Sequence, residues 1–497
     1  MNFEILKRSH VKRNIAIIFV VIAIISSVVL NFTRAEYRVT QSIPLVNGTI
    51  NYSLADLNII AMYRENDNGE YGEIEVMPSS GYIINEEMSY CTLDGNRDEN
   101  ASLYTNDNGE HVISNLQKGS KCYLYFDFVS TASLLSALNQ YNKSTRVDFG
   151  NVYTDENTST LFVTEDNDGK SYYFAGNPTD NWIKFGKWSN DTPDVYYGFS
   201  SADSYLYREY SSLSSCQSAS EYNVNCTLNS RAGKDMYWRI VRINGDESIR
   251  IIYSGTSANT IGPDTEIGIS YYNYNSSEVR YNAYVGYMYG DINANSYSLT
   301  HRNVNESNIK QKLDLWYEEN LSNFSEMISY EAGFCNDRQP STDSLTINNT
   351  GGEGTTSTYY GPYVRLYNKQ NPTLKCENSL DLFTSTSSSK GNKMLTYPIG
   401  LITADEIVYA GGVHAVRVSN MYLNTKSRYW TMSPSSTAWS GGTYMFYMQD
   451  DSVMLPECLY ALGRTSLISG VRPVINLKPD VTISSGDGTS SNPYVIS

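Results

Sequence analysis

Positive charge is scarce in this chain: 37 Lys and Arg stand against 53 Asp and Glu, a net charge of −16. That balance leaves no footprint for nucleic acid, whose binding rests on neutralising phosphates. Histidine is scarcer still, at four residues, His10, His111, His301 and His414. They form no HExxH and no spacing suited to a metal pair, and neither a Gly-x-Ser-x-Gly elbow nor a Gly-x4-Gly-Lys-Ser/Thr phosphate loop occurs. The seven cysteines include no Cys-x-x-Cys, which argues against zinc and against a tuned redox thiol. A Ser/His/Asp triad built on His301 or His414 would be set by geometry rather than by order, so it stays open beside the ordinary loop and capping roles. The adjacent acids Asp450-Asp451 and Glu318-Glu319 point apart on a strand or a helix, so neither pair shares a site locally. No catalytic residue is assigned.

Long apolar runs are also missing, with one exception. A basic cluster (Lys7, Arg8, His10, Lys12, Arg13) runs into an uncharged stretch from Ile15 to Leu30. Its length lies between a signal-peptide core and a full span, and the flanking cations favour a cytoplasmic N-terminus. The reading is a cytoplasmic stub over 1–13 and a transmembrane anchor or uncleaved signal over 14–31. Thr33-Arg34-Ala35 is a weak cleavage site because of its charged middle residue. Everything beyond is expected outside the cell, as a single-pass membrane protein with an extracellular body.

What is abundant fits that compartment. Tyrosine reaches 43 residues, so the surface is built from amphipathic rings beside Ser, Asn and Thr. Codon drift toward Tyr and Asn accounts for this as readily as function does, yet such surfaces suit glycans and peptides. An oxidising exterior makes disulfides the default, and context pairs Cys91 with Cys122, Cys216 with Cys226 and Cys335 with Cys376. Cys458 is left over.

Residues 37–128 alternate apolar and polar positions in short runs between Asn/Asp/Gly turns, the pattern of an immunoglobulin-like β-sandwich acting as a spacer. Residues 129–145 read as a linker helix. From 146 to 497 the chain is α+β and strand-dominated. Two strand pairs nearly repeat, 171–177 with 181–186 and 237–243 with 248–253, the second turning at Asn244-Gly245. Arg239 and Arg242 alternate on their strand, so at least one is expected to leave the core. One helix is predicted over Ser307–Leu321, with Ile309, Leu313 and Trp316 on one stripe. A second begins at Thr403, with a capping box closing on Glu406, and stops at Gly411-Gly412. A Gly/Thr/Ser loop spans Gly351–Tyr359.

Five segments, YWRIVRINGD (237–246), AGFCND (332–337), GLITADE (400–406), YWTMSP (429–434) and GVRPVINL (470–477), resemble an uncharacterised group of anchored surface proteins of gut Firmicutes. The last two are also similar to the closing strands of C-type-lectin-like domains, the class that includes formylglycine-generating enzymes. The resemblance implies a binding scaffold in which Trp430 plugs the core, Arg472 ties strand to strand, and the loop around Trp439 to Tyr447 faces a ligand. Trp439, Tyr444 and Tyr447 are the ligand-binding candidates, each with a competing role in strand packing. The copper-binding cysteine pair of formylglycine-generating enzymes has no counterpart. No cofactor is expected. Calcium enters only because lectin-like folds often use it; the acidic segment 165–169 departs from an EF-hand and reads as a plain turn.

The function expected is adhesion or recognition of an extracellular glycan or protein ligand through the C-terminal domain. Two alternatives remain: a cell-envelope enzyme assembled only in the fold, of hydrolase or formylglycine-generating type, and a structural coat protein.

Overall fold

The computed structural model describes residues 58–496 except 66–69, 75–76, 79–81, 107–110, 129–132, 201–205, 219–222, 269–273, 276–281, 295, 342–357, 439–441 and 451–456. The expected cytoplasmic stub and apolar anchor lie outside the described residues. Among those residues no helix is long and apolar enough to cross a membrane. Two units divide the chain, residues 1–129 and 130–497.

In the N-terminal unit the strand Lys121–Phe128 sits at the centre of a six-stranded sheet. It pairs in parallel with Asn58–Glu65 and antiparallel with Tyr82–Ile84 and Tyr90–Leu93. A separate hairpin, Ser102–Thr105 with His111–Ser114, supplies Leu103 and Ile113 to the same core as Met62, Leu124 and Phe126. The sheet and the hairpin thus bury one shared apolar core. Cys91 and Cys122 lie directly opposite one another in the register and are joined by a disulfide.

The C-terminal unit is strand-dominated α+β. Its principal elements are α1 (Leu134–Asn139), β1 (Thr160–Asp166), β2 (Gly169–Tyr173), β3 (Trp182–Lys187), β4 (Asp235–Ile243), β5 (Ile249–Tyr253), α2 (Asn308–Asn320), α3 (Ala404–Ala410), β6 (Tyr429–Ala438), β7 (Gly442–Met448), β8 (Leu459–Arg464) and β9 (Val474–Leu477), of which β6, β7 and β8 form a separate sheet with the short strand Thr358–Tyr359. A nine-stranded sheet is organised around β4, which pairs with β2, β3 and β5, and β5 pairs in turn with β9. The first expected strand pair is thus not a hairpin, because β4 inserts between β2 and β3. The helix read as a linker belongs to this unit: Leu134 and Leu138 are fully buried in its core, and Leu134 N–H bonds to Val481 O at 2.9 Å.

Both predicted helices form, and the second has its predicted capping box. Ser307 accepts from Lys310 N–H at the start of α2, and Thr403 and Glu406 close the capping box of α3. They cover opposite faces of the sheet. Trp316 of α2 packs on Trp238 and Tyr253, whereas Glu406 of α3 bonds Arg242 and Arg250.

This two-sided burial corrects the expectation for Arg239 and Arg242, both of which are buried. A bulge at Val241 shifts the β4–β5 register, so that Arg239 lies opposite Ile252 and Arg242 opposite Arg250. Ile252 and Arg250 share a face of β5, and the bulge therefore brings the two arginines onto one side. The Arg239 guanidinium stacks over Trp182 at 4.3 Å, while Arg242 engages Asp166 at 2.8 Å and Glu406 at 2.9 Å. The β4–β5 hairpin forms at the expected turn, closed by Asn244 N–H on Ser248 O at 2.8 Å. Its left-handed residue is Glu247, with φ 68°, and Gly245 is needed because a Cβ there would overlap Asp166 and the backbone of the 166–169 turn.

Candidate functional site: an aromatic strip beside a charged cleft

The remaining two disulfides, Cys216–Cys226 and Cys335–Cys376, form as paired above, and Cys458 is buried outside the three disulfides. Three disulfides in the chain accord with an oxidising, extracellular setting.

Four of the five segments that carry the resemblance converge on one cleft beside Cys335–Cys376. Arg242, Asp337, Asp405 and Ser433 each come from a different segment and line it together. The fifth segment contributes from behind, where Asn476 Oδ1 accepts from Arg250 Nε at 3.0 Å. The cleft is saturated with ion pairs. Arg365 donates to Asp405 at 2.7 Å and to Asp337 at 2.6 Å, and Lys390 bridges Asp168 at 2.9 Å and Asp246 at 3.5 Å. Burial pushes the Asp337 carboxyl up, with Asp405 adding to the rise and Arg365 opposing it. Burial would likewise raise Glu406, but Arg250 and Arg242 hold it down at about 2. The acidic turn considered for calcium is spent here, with Asp166 on Arg242 and Asp168 on Lys390. Among the described residues no group of His, Cys, Asp and Glu is arranged to hold a metal ion. The free volume is about 50 Å3, room for a few waters. The arrangement is a charge-balanced clasp that ties loops to the sheet.

One short helical segment links this clasp to the surface. Residues 361–363 form a single α turn that continues as a π-helix over Val364–Asn368, a geometry that recurs at functional positions. Arg365 turns into the cleft, whereas Tyr363 and Tyr367 turn outward with rings stacked at 5.0 Å and 12°. The run continues in both directions. Tyr359 lies 4.6 Å from Tyr363, His414 lies 4.7 Å from Tyr367, and Tyr460 stacks on His414 at 5.8 Å and 6°. Tyr367 is half exposed, and Tyr359, Tyr363, His414 and Tyr460 are partly so. Burial pushes His414 down to about 4, which keeps it neutral at pH 7. The product is a continuous strip of neutral aromatic rings whose ends, Tyr359 and Tyr460, lie on the two edge strands of the sheet that contains β6, β7 and β8.

The residues singled out from sequence fall beside this strip or beneath it. Trp430 is fully buried against Tyr274, and Arg472 donates to Tyr253 O at 3.0 and 3.1 Å and to Leu423 O at 3.0 Å, tying β5 to a distant loop. Tyr447 is turned inward, packing on Tyr460 and Trp430 and bonding Gln449 at 2.7 Å. Tyr444 is half-buried on β7, and Trp439 lies outside the described residues, as does most of the Gly/Thr/Ser loop. His301 is buried between hydroxyls, with Tyr360 on Nε2 at 3.0 Å and Thr300 on Nδ1 at 2.8 Å, so among the described residues both ring nitrogens are taken by groups other than the acid a triad needs. The outward tyrosines were missed, although Tyr359, Tyr363 and Tyr367 recur every fourth residue, the spacing of one helix face.

No family model, curated protein or solved structure matches the chain.

Proposed function

We propose that this is a cell-surface recognition protein whose C-terminal unit binds an extracellular glycan on the strip Tyr359–Tyr363–Tyr367–His414–Tyr460. The observation that carries the reading is the contiguity of five partly exposed, uncharged rings. Tyrosine faces stack on the apolar side of a sugar while their hydroxyls exchange hydrogen bonds with its edge. Neutrality of His414 favours an uncharged partner over an ionic one. The clasp beneath holds the 361–368 segment in place through Arg365, so the rings are pre-organised and little ordering entropy is lost on binding.

A glycan and peptide array probed with the full chain tests this. Binding to a defined glycan set is expected, with loss on Tyr363→Ala/Tyr367→Ala at unchanged thermal stability. A blank array combined with concentration-dependent self-association would replace this reading with that of a coat protein.

A second reading, a cell-envelope hydrolase, draws on Asp337 and Asp405 sharing one guanidinium, with the Asp337 carboxyl pushed up. Two carboxyls in one site, one of them with a raised proton affinity, are what glycoside hydrolysis uses. Here Arg365 occupies both, which favours the structural role. Turnover of an array-positive glycan, abolished by Asp337→Asn, would reverse that preference.

A further inference from the structure

Lysine is almost never fully buried unless it is paired, and Lys310 of α2 is completely buried. The cause lies in the spacing. Ile309, Leu313 and Trp316 form the stripe that packs into the core, and Lys310 stands directly beside it, so its ammonium is carried inward with the helix. Residues 306, 310 and 314 recur every fourth position and share one face. Glu306 and Asp314 therefore meet Lys310 from two sides, with Glu306 Oε1 at 2.6 Å and Asp314 Oδ2 at 2.6 Å from Nζ.

Two carboxylates on one enclosed ammonium leave a negative charge over, and the two acids differ in their surroundings. Glu306 is half exposed and can exchange protons with water, whereas Asp314 is largely covered. Asp314 Oδ1 is buried and has no hydrogen-bond partner among the described residues. Burial pushes the Asp314 carboxyl up, with Lys310 opposing the rise and Glu306 adding to it. A covered acid with a surplus oxygen thus faces a buried amine.

That arrangement is set for condensation. With one carboxylate oxygen in hydrogen-bond contact, Nζ lies roughly 3–3.5 Å from the carboxyl carbon, the separation of a near-attack pair. Transfer of one ammonium proton to Asp314 leaves a neutral amine facing a neutral carboxyl. The Nζ lone pair attacks Cγ, Glu306 takes the proton that Nζ sheds, and that proton leaves with the hydroxyl as water. A C–N bond forms and a C–O bond breaks, so one ammonium and one carboxylate become one amide and one water, with no oxidant or co-reactant. The product removes an ion pair whose desolvation is costly. Side chains four apart already face each other on a helix, so the bond closes along α2 without unwinding it.

We propose that Lys310 and Asp314 join in an isopeptide bond made by the folded chain itself, with Glu306 carrying the proton. A tryptic map of the full chain, reduced and alkylated, reads this directly. Cleavage after Arg302, Lys312 and Arg338 frees 303–312 and 313–338, and an unmodified chain is also cut after Lys310. The expected result is a single branched species in which 303–312, uncut after Lys310, travels with 313–338 and weighs one water less than their sum. Lys310→Arg and Asp314→Ala should each release 313–338 alone at its full mass. Glu306→Gln, followed over time after a pulse of isotope label, should join roughly a hundredfold more slowly, the loss of one general base. The proposal is overturned if the native chain yields 303–310 and 313–338 as separate peptides of full mass, if water is lost while the chain is still cut after Lys310, or if Glu306→Gln joins as fast as the native chain.

Discussion

Glu406 Oε1 accepts a 2.7 Å bond from Arg250 Nη1, with both side chains buried. Arg242 Nε reaches the same oxygen at 2.9 Å, so one carboxylate on α3 neutralises two guanidinia brought together by the β4–β5 register. The other oxygen, Oε2, accepts from the Thr403 backbone N–H at 2.8 Å to complete the capping box. The helix start and the charged floor of the cleft are therefore one structure.

Removing that charge should be severe. Glu406→Gln is expected to destabilise the fold by roughly 3–5 kcal/mol in urea denaturation, since breaking a buried pair strands the partner charge. The depressed proton affinity of Glu406 makes part of this pH-dependent. Its stabilisation is present above the ordinary carboxylate range and is lost as pH falls toward about 2. Glu406→Gln should flatten the acid limb of the stability profile.

Glu266 predicts the opposite limb. Burial pushes its carboxyl up to about 8, against the pull of the Ser427 hydroxyl, Arg472 and Arg231. A raised folded-state affinity gives stability that is complete below the ordinary carboxylate value and is lost as pH rises through about 8. Melting temperature should therefore decline from acid toward pH 8 to 9 in the native chain and decline less in Glu266→Gln. Gly470→Ala should destabilise at all pH values, because its Cβ would overlap the Glu266 carboxyl.

The disulfides should rank by the loop each closes. Replacing Cys335 and Cys376 by Ser, which opens a separation of 41 residues, is expected to cost roughly 4 kcal/mol, and opening Cys216–Cys226, a separation of 10, roughly 3 kcal/mol. Thermal melts of the two double variants give the order. Equal losses would point to native-state contacts rather than chain entropy as the source.

Neighbouring tyrosines should separate cleanly. Tyr367 is half exposed, so Tyr367→Ala is expected to cost less than about 0.5 kcal/mol. Tyr360 is fully buried with its hydroxyl on His301, and Tyr360→Ala should cost roughly 3 kcal/mol or more. A melt of each checks that the strip can be dismantled without loss of the fold.

The strip and the clasp differ in how far they could be read from the chain. Segments such as 332–337 and 400–406 were visible as motifs, and the cleft is where they meet. The sequence could not tell that Tyr447 is buried while Tyr460, its partner on β8 on the same face of the sheet, stays partly exposed, because that depends on which distant segments cover each ring.

Local chemistry alone determined the capping box of α3 and the strand-rich character, since each depends on neighbours a few residues away, and an oxidising setting determined that the cysteines pair. Only the tertiary structure decided where the charges went. A single bulge at Val241 reversed the side on which Arg242 would have emerged, and a one-residue shift in the β4–β5 register leaves no mark in the alternation of residue types because both faces of these strands are buried.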